Sequence, residues 1–143
     1  RGMFFNLSLA TGKRQMIRSV LEGVAFHIRW MLEAMEKKIP IQQRLRFAGG
    51  GAKSDVWCQI IADITGRTIE SIENEINAGT VGATIVCAVG LGIMDNFTEA
   101  KKLVGLRTSY KPRAQYHDMY NRNFKVFTQL YEKNKELFKL LNY

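Results

Sequence analysis

The chain has 143 residues, 46% hydrophobic and 24% charged, which is enough for one domain with a real core and excludes a disordered or fibrous protein. No run of about 18 apolar residues occurs, which excludes a membrane-spanning helix. The net charge of +8 would suit nucleic acid, but the basic residues are scattered (Lys37-Lys38, Lys101-Lys102, Lys133, Lys135, Lys139), with neither aromatic–basic interleaving nor Cys/His finger spacing, so neither nucleic acid nor membrane is expected as a partner.

Arg1-Gly2-Met3 looks like an internal start, and no signal-peptide layout follows it. From about residue 14 to 37, Ile17, Val20, Leu21, Val24, Ile28, Met31, Leu32 and Met35 recur at helical spacing. Gly23 inside this helix points to close packing there, and His27 at the edge of the stripe is expected to be a hydrogen-bonded flanking residue. Pro40 ends the segment. Residues 44–48 form a short strand that runs into Gly49-Gly50-Gly51. Ser54 can cap the next helix and Asp55 suits its positive end; Val56, Trp57, Ile60, Ile61 and Ile64 are its expected buried face, and Gly66 its stop. Thr68 to Ile72 alternates as a second strand. Strand, turn, helix and strand make a βαβ unit, which predicts a parallel pair.

Asn77 to Leu91 is apolar nearly all round and predicts a buried helix, with tight packing at Gly82 and an end at Gly90 and Gly92. Cys58 and Cys87 both fall in stretches expected to be buried, which fits reduced thiols and a cytoplasmic protein. Asn96-Phe97-Thr98-Glu99 resembles a capping box for a short helix toward Gly105. Pro112 then opens a last helix with the stripe Tyr116, Met119, Tyr120, Phe124, Phe127, Leu130, Tyr131, Leu137, Phe138 and Leu141, expected to be core.

The chemistry-bearing stretch is Phe47-Ala48-Gly49-Gly50-Gly51-Ala52-Lys53-Ser54-Asp55. Glycines let another backbone or a ligand come close, and a turn that opens a helix presents N–H groups to an anion. Positive φ is expected at Gly50. The stretch is neither G-x-x-x-x-G-K-[ST] nor G-x-G-x-x-G. Two readings stand: a phosphate or ribose site, or a tight strand-to-helix turn that holds no ligand.

Residues 47–67 together resemble the signature of the FGGY carbohydrate kinases in their C-terminal domain. Arg1-Gly2-Met3-Phe4-Phe5 with residues 18–26, then Ala78-Gly79-Thr80-Val81-Gly82-Ala83, then Tyr110-Lys111-Pro112, resemble further blocks of that family in the same order. The subfamily most similar is xylulokinase-like; Asn6 and Thr11-Gly12 depart from the family pattern.

The resemblance implies an α/β fold: a partial actin-like ATPase (ribonuclease H-like) domain, helix-rich with a short parallel βαβ unit. Residues 1–143 would be part of the C-terminal domain, with the N-terminal domain and the first strands of this one elsewhere in the parent. It implies ATP and Mg2+ as cofactors and a sugar, a ketopentose such as xylulose, as acceptor. Gly49, Gly50 and Gly51 would lie against the phosphates and ribose, Ser54 and Asp55 toward the adenosine, and Ala78 and Gly79 beside the nucleotide. The general base would lie in the N-terminal domain, so no catalytic residue and no metal ligand is expected in this chain. A homodimer is expected from the open strand edge. The different-class alternative is a non-catalytic binding or assembly module with the same fold.

Overall fold

In the computed structural model, which describes residues 2–100 and 103–141, the molecule is built around one short helix, α2. Along the chain come α1 (Lys13–Glu36), β1 (Arg44–Phe47), a single 3-10 turn (Gly50–Lys53), α2 (Asp55–Thr65) and β2 (Thr68–Ile72). A second 3-10 turn (Glu75–Asn77) leads into α3 (Ala78–Gly90), followed by α4 (Phe97–Ala100), β3 (Leu106–Tyr110) and α5 (His117–Leu140). The sheet order is β1-β2-β3. β1 runs parallel to β2 in the register Arg44↔Thr68 to Phe47↔Ser71, as the βαβ reading requires.

α2 lies between the sheet and the pair α1 and α5, so it is covered on both sides. Cys58, Ile60, Ile61, Ala62, Asp63 and Ile64 are all buried. Each buried isoleucine contributes about 1.5–3 kcal/mol of transfer free energy. Opposite them, Phe26 of α1 meets Tyr120 edge-on at 6.0 Å and Phe127 at 5.5 Å. Two polar clusters tie the same helices together. The Tyr120 hydroxyl donates to Glu22 Oε1 at 2.8 Å and accepts from Arg18 Nη2 at 2.9 Å. Arg29 Nη1 reaches the Ile64 carbonyl and Asn121 Oδ1, with its guanidinium 4.3 Å from the Phe124 ring centre. Burial pushes the Tyr120 phenol up from its ordinary pKa.

Both ends of α2 form as read. Ser54 Oγ accepts from Trp57 N, and Gly66 takes the left-handed conformation at φ 67° that a stop at this point requires. Asn96 Oδ1 likewise accepts from Thr98 N and Glu99 N at the head of α4. Arg1, Lys101 and Lys102 lie outside the described residues, and so does part of the stretch expected to be helical toward Gly105.

Several expectations are corrected. A third strand, β3, lies antiparallel to β2 and makes the sheet mixed. It is an edge strand with only Tyr110 buried, so it carries no apolar alternation to read. No residue of α3 is buried. Among the described residues its main packing partners are α4 and the turn Glu75–Asn77, too little to cover an all-round apolar helix. Cys87 is therefore exposed, and a Cβ at Gly82 would meet nothing, so no tight packing occurs there. The same holds for Gly23. Val56 is exposed because the first turn of α2 projects beyond the core. In α5 only Tyr120 and Phe124 are buried; Tyr131, Leu137 and Leu141 are exposed because the far end of α5 extends past α2. His27 is exposed on α1.

Two further open surfaces bear on assembly. Among the described residues β1 pairs on one side only. On α1, Ile17, Val20, Val24, Met31 and Met35 form an exposed stripe, each between 43% and 55% accessible. Unpaired strand edges template pairing, and apolar patches of this kind are rare on stable monomers. We predict that the chain self-associates as a symmetric homodimer. Sedimentation across a concentration series is the measurement. A strictly monomeric species at about 100 µM, where about 5.5 kcal/mol would already give a sizeable dimer fraction, would refute it.

Candidate functional site

β1 ends at Phe47 and the chain turns sharply at Gly49, whose φ of 91° and ψ of −179° only glycine adopts without strain. Gly50 to Lys53 then make one 3-10 turn, held by Ala52 N to Gly49 O at 3.0 Å and Ser54 N to Gly51 O at 3.1 Å. The positive φ thus sits at Gly49 and not at Gly50, because the reversal of direction comes at the first glycine.

The three glycines differ in what surrounds them. A Cβ at Gly51 would collide with the Trp57 ring, which packs over the turn and meets Phe47 edge-on at 5.9 Å. A Cβ at Gly50 would meet nothing within 4 Å. Gly49 and Gly51 therefore have reasons internal to the fold. Gly50 has none, and it is exposed.

Asp55 follows the turn as the first residue of α2. Its Oδ1 accepts from the Tyr110 hydroxyl at 2.6 Å and pairs with Arg107 Nη2 at 3.1 Å. The Tyr110 hydrogen bond, with Arg107 beside it, holds the Asp55 carboxyl below the usual carboxylate range. Burial, and then the bond to Asp55, raise the Tyr110 phenol. Arg107 Nη2 also donates to the Ala52 carbonyl at 2.7 Å. Asp55, Val56, Gln59, Ile60, Tyr110, Arg18 and Arg113 line an open hollow beside the head of α2.

The 3-10 turn Gly50–Lys53 packs against the turn Glu75–Asn77, which leads into α3. The fold thus brings Gly49, Gly50, Gly51, Ser54 and Asp55 to the same end of the molecule as Ala78 and Gly79. Ala78 is half-buried; Gly79 is exposed, with nothing within 4 Å of a Cβ built on it. The hydroxyl of Ser54 is engaged as the helix cap. These open glycines leave room for a flat or anionic ligand. Among the described residues no group of three or more His, Cys, Asp or Glu stands together, and the Asp55 carboxylate is shared by a phenol and a guanidinium.

Sequence reasoning missed three residues here. Arg107 and Tyr110 come from the unread strand; Tyr110 was visible only as part of the Tyr110-Lys111-Pro112 block. The third is Asp63, whose side chain is completely buried and accepts from Arg113 N, Arg113 Nη2 and Gln59 Nε2 at 2.9, 2.6 and 2.9 Å. An aspartate within Ile60-Ile61-Ala62-Asp63-Ile64 was the available signal, since a buried carboxylate needs a partner.

A family model described as the FGGY family of carbohydrate kinases, C-terminal domain, matches residues 1–91. The xylulose kinase of Staphylococcus epidermidis is 29% identical over 140 residues, covering 96% of this chain and 28% of that protein. The L-xylulose/3-keto-L-gulonate kinase of Escherichia coli is 30% identical over 130 residues, covering 89% of this chain and 26% of that protein. The crystal structure of xylulose kinase from Rhodospirillum rubrum superposes with a TM-score of 0.84 at 28% identity, over 96% of this chain and 28% of that one. The chain thus spans little more than a quarter of the length of these relatives.

Proposed function

From the premise that this chain belongs to the FGGY family of carbohydrate kinases, we propose that it supplies the nucleotide side of an ATP-dependent sugar kinase. The parent transfers the γ-phosphoryl of ATP to a hydroxyl of a ketopentose such as xylulose. The acceptor follows from the xylulose kinases among the relatives. The general base, the sugar pocket and any Mg2+ ligands belong to other parts of the parent.

The observation that carries this reading is the packing of the turn Gly50–Lys53 against the turn Glu75–Asn77, which leads into α3. Gly50, exposed and without any structural need to be glycine, fits a turn that a phosphate approaches. Phosphoryl transfer depends on positioning and charge stabilisation across a closed cleft, and one wall provides only part of either. The chain alone is expected to bind ADP or ATP weakly, with a Kd of about 1 mM, equivalent to roughly 4 kcal/mol. Titration followed by backbone amide NMR tests this. Shifts should cluster at residues 49–55 and 78–83; shifts clustered elsewhere refute the site. The same chain should phosphorylate no pentulose, hexulose, gluconate or glycerol above a no-enzyme control in preparations free of host kinase.

A second reading has an observation in its favour. Gly49 is required by its φ and Gly51 by Trp57, so two of the three glycines need no ligand to explain them. In that reading the chain is a non-catalytic binding or assembly module that keeps the fold. It expects no nucleotide-dependent shifts at the turn.

A further inference from the structure

We propose that Arg107 is a positioning residue for the nucleotide turn, acting through the carbonyl of Ala52 without touching the nucleotide. The inference rests on the reading of residues 49–53 as the nucleotide turn.

A turn with three consecutive glycines has little to hold its own backbone, because glycine loses the most conformational freedom on ordering. Here the turn has a buried anchor, Ala52, and an external clasp. Arg107 Nη2 donates to Ala52 O at 2.7 Å, a charge-assisted bond and therefore a strong one. The thiol of Cys58 approaches the same carbonyl at 3.5 Å from inside the core. With Ala52 O held, the peptide unit joining Ala52 to Lys53 cannot rotate, and the direction of the Lys53 N–H is set with it.

The clasp is itself oriented. Asp55 Oδ1 lies 3.1 Å from Arg107 Nη2, and the Tyr110 hydroxyl donates to the same oxygen at 2.6 Å. Arg107 and Tyr110 both belong to β3, which is fixed to β2 by antiparallel pairing through Ile69↔Tyr110 and Ser71↔Thr108. A strand-borne guanidinium thus sets the geometry of a glycine turn that lies on another element. Asp55 serves this cluster, and its carboxylate is turned to Tyr110 and Arg107.

The test compares three variants of this chain by amide hydrogen exchange without ligand and by ADP titration. In Arg107→Met, amides 50–53 should exchange about tenfold faster while those of α5 near Tyr120 stay unchanged, and ADP affinity should fall about tenfold. Arg107→Lys keeps one charged donor within reach of Ala52 O and should bind ADP within about threefold of the parent chain. Tyr110→Phe removes the bond to Asp55 and the long contact with Arg107 Nη2 at 3.4 Å, keeps Arg107 on Ala52 O, and should stay within about twofold. An Arg107→Met protein that binds ADP like the parent chain overturns the proposal while leaving the turn as the nucleotide site. If Arg107→Met does not fold, loss of ADP binding in Arg107→Lys with unchanged exchange at 50–53 overturns it, because that pattern marks direct contact with the ligand. ADP shifts away from residues 49–55 in the unsubstituted chain refute the site itself, and the positioning role falls with it.

Discussion

Replacing Arg113 with Met should destabilise the protein by about 3–5 kcal/mol, because it strands a buried carboxylate. The side chain of Asp63 is completely buried in the middle of α2, whereas Arg113 is 44% exposed. Arg113 Nε and Nη2 meet Asp63 Oδ2 at 3.1 and 2.6 Å, and the backbone N of Arg113 meets Oδ1 at 2.9 Å. After the substitution the carboxylate keeps Gln59 and one backbone donor but no countercharge. Asp63→Asn should cost less, about 1–2 kcal/mol, since an amide oxygen still accepts from the backbone and Arg113 can turn to water. The asymmetry is the informative result. Urea titrations of the two variants measure it directly, and an Arg113→Met penalty below that of Asp63→Asn would mean that the pair is not held as a buried bridge. The contact joins α2 to the segment that opens α5, so the loss should also appear as faster exchange along that helix.

Gly50→Val should abolish ADP binding, a loss of at least tenfold or about 1.4 kcal/mol, and leave the fold intact. Gly50 has ordinary backbone geometry, and a Cβ added there meets nothing within 4 Å, so the protein offers no resistance at that atom. Whatever it blocks must come from outside. Its neighbours behave differently. Gly51→Ala drives a methyl into the Trp57 ring and should cost about 1–3 kcal/mol of stability. Gly49→Ala forces a side chain onto a φ of 91° and should cost a similar amount, about 1–3 kcal/mol. Binding and thermal unfolding measured on all three variants separate ligand approach from turn geometry. A Gly50→Val protein that still binds ADP at the turn would remove the phosphate from this position. An unfolding midpoint lowered as far as in Gly51→Ala would show that the space at Gly50 is not open.

The sequence alone determined the local structure wherever one residue type has one physical use. Ser54 before an apolar helix, Gly66 at its end and Asn96 ahead of Glu99 each had a capping role, and each performs it. The strand, turn, helix and strand order predicted a parallel pair, and β1 and β2 form one. The order and spacing of the matched blocks pointed to the family that the family model and the relatives share. Burial was another matter, because it depends on what packs alongside. Tertiary structure decided that α3, the most apolar helix, has no buried residue, and that α2 is covered on both sides. It decided which end of α5 is core. It also decided the clasp at the turn. Arg107, Asp55 and Tyr110 lie up to 55 positions apart, and their meeting depends on an edge strand with no apolar period. Pattern along the chain encodes contacts over one or two turns of backbone; contacts between elements are fixed only when the whole sheet and its helices come together.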